Sequence, residues 1–255
     1  MSKIAVIALN AYKETIRDKL LYNLVIFALL LIGSSVILST LTVGERSKII
    51  VDLSLASINL FGVLIAIFVG IGLVSKEIEK KTIFTIIAKP VHRWQYLLGK
   101  YLGLLLILAV NLTLMTVCFY LVQLAGEWAL RPELMMAIWL IYVELMVITA
   151  LALLFSTFTT STLAAIFTLS LYVIGHLSVS IKEFAKRIGT ETAAIVANAL
   201  YYSLPNLDHF NIKAEVLYQA PVSFARLAWA TFYGLAYIAV ILLLAGIIFQ
   251  RRDFK

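Results

Sequence analysis

The chain has 255 residues, of which 62% are hydrophobic and only 14% are charged. Soluble domains carry about 45–50% apolar residues, so the composition excludes one and marks an all-α integral membrane protein. The net charge of +7 comes from Lys and Arg at the ends of apolar runs, a topogenic pattern rather than a nucleic-acid footprint. The single cysteine, Cys118, excludes an intrachain disulfide and a multi-thiolate metal site.

Residues 3–19 place Asn10, Lys13, Glu14, Arg17 and Asp18 on one stripe and Ala5, Ala8, Leu9, Tyr12 and Ile16 on the other, which predicts an N-terminal interfacial helix. The first span covers about residues 20–42, enough to cross a core of about 30 Å. Its apolar region is too long for a signal peptide and no A-x-A site follows it. VGERSKIIVDLS reads as a short loop before a second span at about 55–74. The polar segment 75–100, SKEIEKKTIFTIIAKPVHRWQYLLGK, then holds six basic residues against Glu77 and Glu79, so it lies on the cytoplasmic side. Ile78, Thr82 and Ile86 share a stripe and Glu77 stands four residues before Lys81, the signs of a helix. Pro90 ends it, and a new helix begins near Val91.

Further spans follow at about 101–125, 134–155, 163–181 and 224–249, the fourth and fifth joined by the tight turn STFTTST. Six spans place both termini on one side. The segments assigned inside hold thirteen Lys or Arg and the two short outer loops three, which makes both termini cytoplasmic. Residues 182–223 are then external. Lys182, Glu183, Lys186 and Arg187 oppose Phe184, Ala185 and Ile188, while Ile195, Val196, Ala199 and Leu200 continue an apolar face. The pattern predicts one or two amphipathic helices lying on or dipping into the outer membrane surface. The whole of 1–255 reads as one transmembrane domain.

Catalytic patterns are missing. Gly99-Lys100 lacks the upstream glycine of a P-loop, His92, His176 and His209 are scattered, and no G-x-S-x-G or H-E-x-x-H occurs. Glu144 is the only ionisable side chain deep in a predicted span, where a charged carboxylate costs about 2.5–3.5 kcal/mol. It is either part of a substrate path or a neutral carboxyl bonded between helices. His176, in the outer half of span five, is open to the same two readings. Gly99-x-x-x-Gly103 and the pair Gly70, Gly72 permit close helix approach.

Glu77, Thr82, Pro90, Arg93, Gly99 and Lys100 form the order E-x4-T-x7-P-x2-R-x5-G-K, which resembles the signature of ABC-2 type transport permeases with the type V exporter fold. The likeness extends over nearly the whole chain. SKEIEKKT, AKPVHRWQYLLGKYLG and LPNLDHFN are most similar to the permeases associated with multicopper-enzyme maturation. The resemblance implies a non-catalytic membrane subunit in a prokaryotic cytoplasmic membrane, with a cytoplasmic coupling helix between spans two and three. It further implies two copies of a separately encoded ATPase that carries ATP and Mg, no cofactor on this chain, and a homodimer of permeases. Glu77, Glu79, Lys80, Lys81, Thr82, Pro90, Arg93, Gly99 and Lys100 are the ATPase-coupling residues it implies. Export of a lipid, drug or peptide, and a mechanical role on an extracytoplasmic accessory protein, are both open.

Overall fold

The computed structural model describes residues 2–40, 45–79, 92–126, 131–188 and 204–251, with 192, 195, 197–199 and 201 as isolated positions; the side chains of 74–79 and 188 lie outside the description. The elements are α1 (Lys3–Thr15), α2 (Lys19–Thr40), α3 (Arg46–Glu79), α4 (Arg93–Ala125), α5 (Pro132–Ser156), α6 (Ser161–Ile188), a 3-10 turn (Leu207–Phe210), α7 (Lys213–Leu217) and α8 (Phe224–Arg251). There is no strand among the described residues, and α2, α3, α4, α5, α6 and α8 are long and apolar enough to span a membrane. Hydrocarbon offers no partner for a backbone N–H or C=O, so each span satisfies its own. Several hydroxyls do likewise: Ser35, Thr113, Thr149 and Thr168 donate to carbonyls three or four residues earlier in their own helices.

The centre is built from α3 and α5, whose most apolar windows are 72% buried, while α2, α6 and α8 are 22–28% buried and leave broad faces for lipid. An even number of crossings puts both chain ends on one side, here called the inner side.

Several boundaries differ from the sequence expectation. Helix α3 starts at Arg46 and absorbs most of the expected loop, because Ile50, Val51, Ser54 and Leu55 are buried and α7 packs on this turn. Lys48 is ion-paired with Glu45 at 2.6 Å and lies 5.4 Å over the Tyr218 ring. Helix α4 starts at Arg93, so the end of the basic segment belongs to span three. Helix α6 runs unbroken to Ile188, so the polar stripe from Lys182 to Arg187 extends span five and does not form a separate surface helix. The apolar face of α1 is also turned: Ala8, Ala11 and Thr15 are buried while Val6 and Leu9 stay exposed, because α1 packs chiefly along α4.

The amphipathic surface helix expected to continue through Ile195, Val196, Ala199 and Leu200 falls on residues 189–203, most of which lie outside the described residues; the segment that packs into the protein is 204–216. Leu207, Phe210, Ile212 and Val216 are all buried, and α6 and α8 make room through glycine. A Cβ at Gly175 would lie 2.8 Å from Leu207 Cγ and 2.9 Å from the Pro205 carbonyl, and one at Gly234 would lie 3.2 Å from the Phe210 ring.

In a Cys118→Ala background, single cysteines at the exposed residues Lys186 and Tyr218 are expected to react with an impermeant maleimide on intact cells. A cysteine at Lys255 is expected to react only after permeabilisation. Reaction of position 255 from outside would overturn the orientation given by the charge count.

Candidate functional site

The inner end of α4 is where three helices are fastened together. Gln95 accepts the His92 N–H at 3.2 Å and so closes the first turn. Arg93 Nη1 donates to the carbonyls of Phe249 and Gln250, both at 3.0 Å. These belong to the last turn of α8, where carbonyls have no intrahelical donor and the helix dipole favours a cation. Tyr96 stacks on Phe249 with centroids 5.8 Å apart and planes 10° from parallel. One turn further, Gly99 and Gly103 form a notch for α1. A Cβ at Gly99 would lie 2.6 Å from Ile7 Cγ2, and one at Gly103 would lie 2.6 Å from Ala11 Cβ and 2.7 Å from the Ala8 carbonyl. Between them Lys100, only 4% exposed, reaches Glu14 of α1 at 3.3 Å and passes 5.9 Å from the Tyr96 ring centroid.

The signature residues therefore divide by location. Arg93 holds α8, whereas Gly99 and Lys100 hold α1. Glu77 and Glu79 lie on the last turn of α3, helical in backbone, with side chains outside the description. Lys80, Lys81, Thr82 and Pro90 lie outside the described residues. Beside this hub, a cavity of about 380 Å³ opens where the α1–α2 joint meets α3, lined by Glu14, Arg17, Asp18, Lys19 and Gly72. What the described residues show here is a set of ties that join α1, α4 and α8.

A second constellation lies at mid-depth. Glu144 of α5 is 1% exposed. Its Oε2 accepts from Asn59 Nδ2 of α3 at 3.0 Å, and its Oε1 lies 2.7 Å from His176 Nε2 of α6. Asn59 Oδ1 in turn accepts from the Tyr172 hydroxyl at 3.1 Å, and the Tyr172 and His176 rings meet edge to face at 4.8 Å. Both carboxyl oxygens are thus occupied, which offsets the cost of burial. Lys213 of α7 belongs to the same neighbourhood: burial pushes its pKa down, and the charges of Glu144 and Asp52 push it back up. No group of three or more potential metal ligands occurs among the described residues.

Glu144 and His176 are the two path candidates of the sequence, and the structure brings them together. Asn59 and Tyr172 complete the cluster and were not singled out. Residue type did not distinguish them, since Asn111 is an equally buried span amide that only bonds back to Ile107 in its own helix at 2.8 Å.

Three substitutions test the hub and the cluster. Gly103→Leu has no room beside Ala8 and Ala11 and is expected to cost about 1–3 kcal/mol as overpacking, read as release of α1 in limited proteolysis; protection equal to the parent would refute the notch. Glu144→Gln accepts from Asn59 and donates to an unprotonated His176 Nε2, so its thermal unfolding in lipid nanodiscs is expected to match the parent. Glu144→Leu leaves Asn59 and His176 without that partner, at about 1–3 kcal/mol each. Equal melting temperatures for Leu and the parent would refute the buried network.

A search of curated proteins finds nothing similar. The family model of the ABC-2 family transporter protein matches residues 5–254, a range that includes the hub, the mid-depth cluster and the inward-folded external segment. The chain belongs to this ABC-2 family and is a transmembrane permease subunit of an ABC transporter.

Proposed function

We propose that the subunit exports a substrate across a prokaryotic cytoplasmic membrane as one of two identical permease copies, driven by two copies of a separately encoded ATPase that supply ATP and Mg. The ATPase docks on the cytoplasmic segment that joins α3 to α4. Glu77, Glu79, Lys80, Lys81, Thr82 and Pro90 belong to that docking segment, with Arg93, Gly99 and Lys100 passing its movement onward. One observation carries this reading: the residues directly after the segment tie α4 to α8 through Arg93 and to α1 through Lys100. A partner that displaces the segment therefore displaces three helices as a rigid unit.

A mechanical role on an extracytoplasmic protein, such as maturation of a multicopper enzyme, is a second reading. It is favoured by the inward packing of residues 204–218 against α8: the Asn206 N–H donates to the Tyr233 hydroxyl at 2.8 Å. In that reading the outer segment is the output, and vesicles would support partner maturation without bulk transport.

Co-expression with a cognate P-loop ATPase is expected to yield a complex with two copies of each chain and ATP hydrolysis stimulated by the permease. Glu77→Arg reverses a charge at the docking surface, which removes attraction and adds repulsion, and is expected to lower that stimulation several-fold with the chain still in the membrane. Full stimulation by the Glu77→Arg complex would remove the coupling assignment, and a stable complex with one permease copy would remove the dimer.

A further inference from the structure

Helix α8 has an unusual distribution of polar ties. Its buried residues are Ala230, Gly234, Ile238, Ile241, Ala245 and Phe249, spaced by three or four, so it rests on α5 and α4 along one straight stripe. Residues 238–248 are entirely apolar side chains or glycine, so the middle of the helix has only non-directional contacts. Polar ties lie in the outer half of the helix and at its inner end. At the inner end Arg93 takes the Phe249 and Gln250 carbonyls at 3.0 Å and Tyr96 stacks on Phe249. At the outer end the Tyr233 hydroxyl accepts the Asn206 N–H at 2.8 Å, the Tyr237 hydroxyl reaches the Leu204 carbonyl at 3.4 Å, and Arg226 pairs with Glu215. Trp139 Nε1 of α5 bonds Thr231 Oγ1 at 3.1 Å in the same outer half.

We infer that α8 is a tie rod: Arg93 at the inner end and Tyr233 at the outer end are positioning residues that make the inner end of α4 and the external segment 204–212 move together. The span from Tyr233 to Phe249 is 16 residues, about 24 Å at 1.5 Å per residue. No proline interrupts it, so it is free of the commonest cause of a sharp helix kink. A displacement at the inner end therefore arrives at the outer end as translation or tilt of the whole helix. Arg93 suits the inner tie because one guanidinium nitrogen serves two carbonyls while the charge meets the negative end of the helix dipole. Tyr233 suits the outer tie because it supplies an acceptor to a backbone N–H of a nearly buried residue, Asn206, which would otherwise be unpaired. The relevance of the rod to transport rests on the permease reading above; the mechanical link itself does not.

Amide hydrogen exchange of the isolated permease in lipid nanodiscs tests the link without any ATPase. In Arg93→Gln, amides of 204–212 are expected to exchange several-fold faster although the substitution lies at the other side of the membrane. Arg93→Lys keeps the charge and a donor and is expected to restore parent-like exchange. Coupling between two sites is reciprocal, so Tyr233→Phe is expected to speed exchange at 247–251. Faster exchange confined to the mutated end in both variants would overturn the rod. Should Arg93→Gln loosen the whole fold, α5 included, Tyr233→Phe alone decides: a rise at 247–251 supports the rod, and parent-like exchange there overturns it. Loss of ATPase binding in separate experiments would remove the permease reading and leave this result standing.

Discussion

The close approach of α1 to α4 at Gly99 and Gly103 sets the architecture of the inner side. Lipid tails are as apolar as leucine, so helices in a bilayer gain little by hiding apolar surface from each other and depend on close packing and polar bonds. The two glycines provide the first, since a Cβ at either position would come within 2.6 Å of α1 atoms. Lys100 provides the second through its 3.3 Å pair with Glu14. With α1 held there, α2 leaves the α1–α2 joint in a fixed direction and packs on α3. Arg93, two turns before Lys100 on α4, brings the last helix to the same place, so the first and last elements of the chain meet on one short stretch of α4.

Deeper in the bundle the same rule acts through charge. Three central helices could slide past one another on apolar contacts alone, but the Glu144 cluster gives α3, α5 and α6 one register. Its value is specificity: a carboxyl buried without Asn59 and His176 would cost several kcal/mol, so any register that separates them is penalised. The hydroxyl of Tyr172 and the edge of its ring then fix the rotamers of the amide and the imidazole.

Sequence reading captured the elements and their order well because spans are long apolar runs and basic residues flank them. It captured boundaries less well. Arg46–Ser54 carries charge, which argued for a loop, yet it is the first part of the helix that becomes span two, while the helix expected from near Val91 does begin at Arg93 and runs on into span three. Partner choice was the least legible. A span that is apolar all round carries no sign of which face meets protein; α1 did show two stripes, but the face it buries is the one that fits Gly99 and Gly103, and the hold of Arg93 on α8 joins residues 156 positions apart. Glu144 announced itself by its cost in lipid, and His176 was visible as a span histidine, but their pairing depends on how α5 and α6 rotate. The Gly99-Lys100 pair was read through resemblance as a coupling element, and its contact is with α1.

These ties sort the bundle into parts with different freedom. Helices α3, α5 and α6 are joined by directional bonds at mid-depth and form one body. The inner end of α4, α1 and α8 are joined by Arg93, Lys100 and the glycine notch and form a second, which meets the first through apolar stripes and through the Tyr101–Met146, Tyr142–Leu105 and Trp139–Thr231 bonds. The external segment belongs to both. Leu207 is seated against Gly175 of α6 and the Val216 carbonyl accepts from Arg131 at the start of α5 at 3.2 Å, while Asn206, Leu204 and Glu215 bond to α8. Any movement of the second body against the first therefore loads residues 204–218, which are bonded to both.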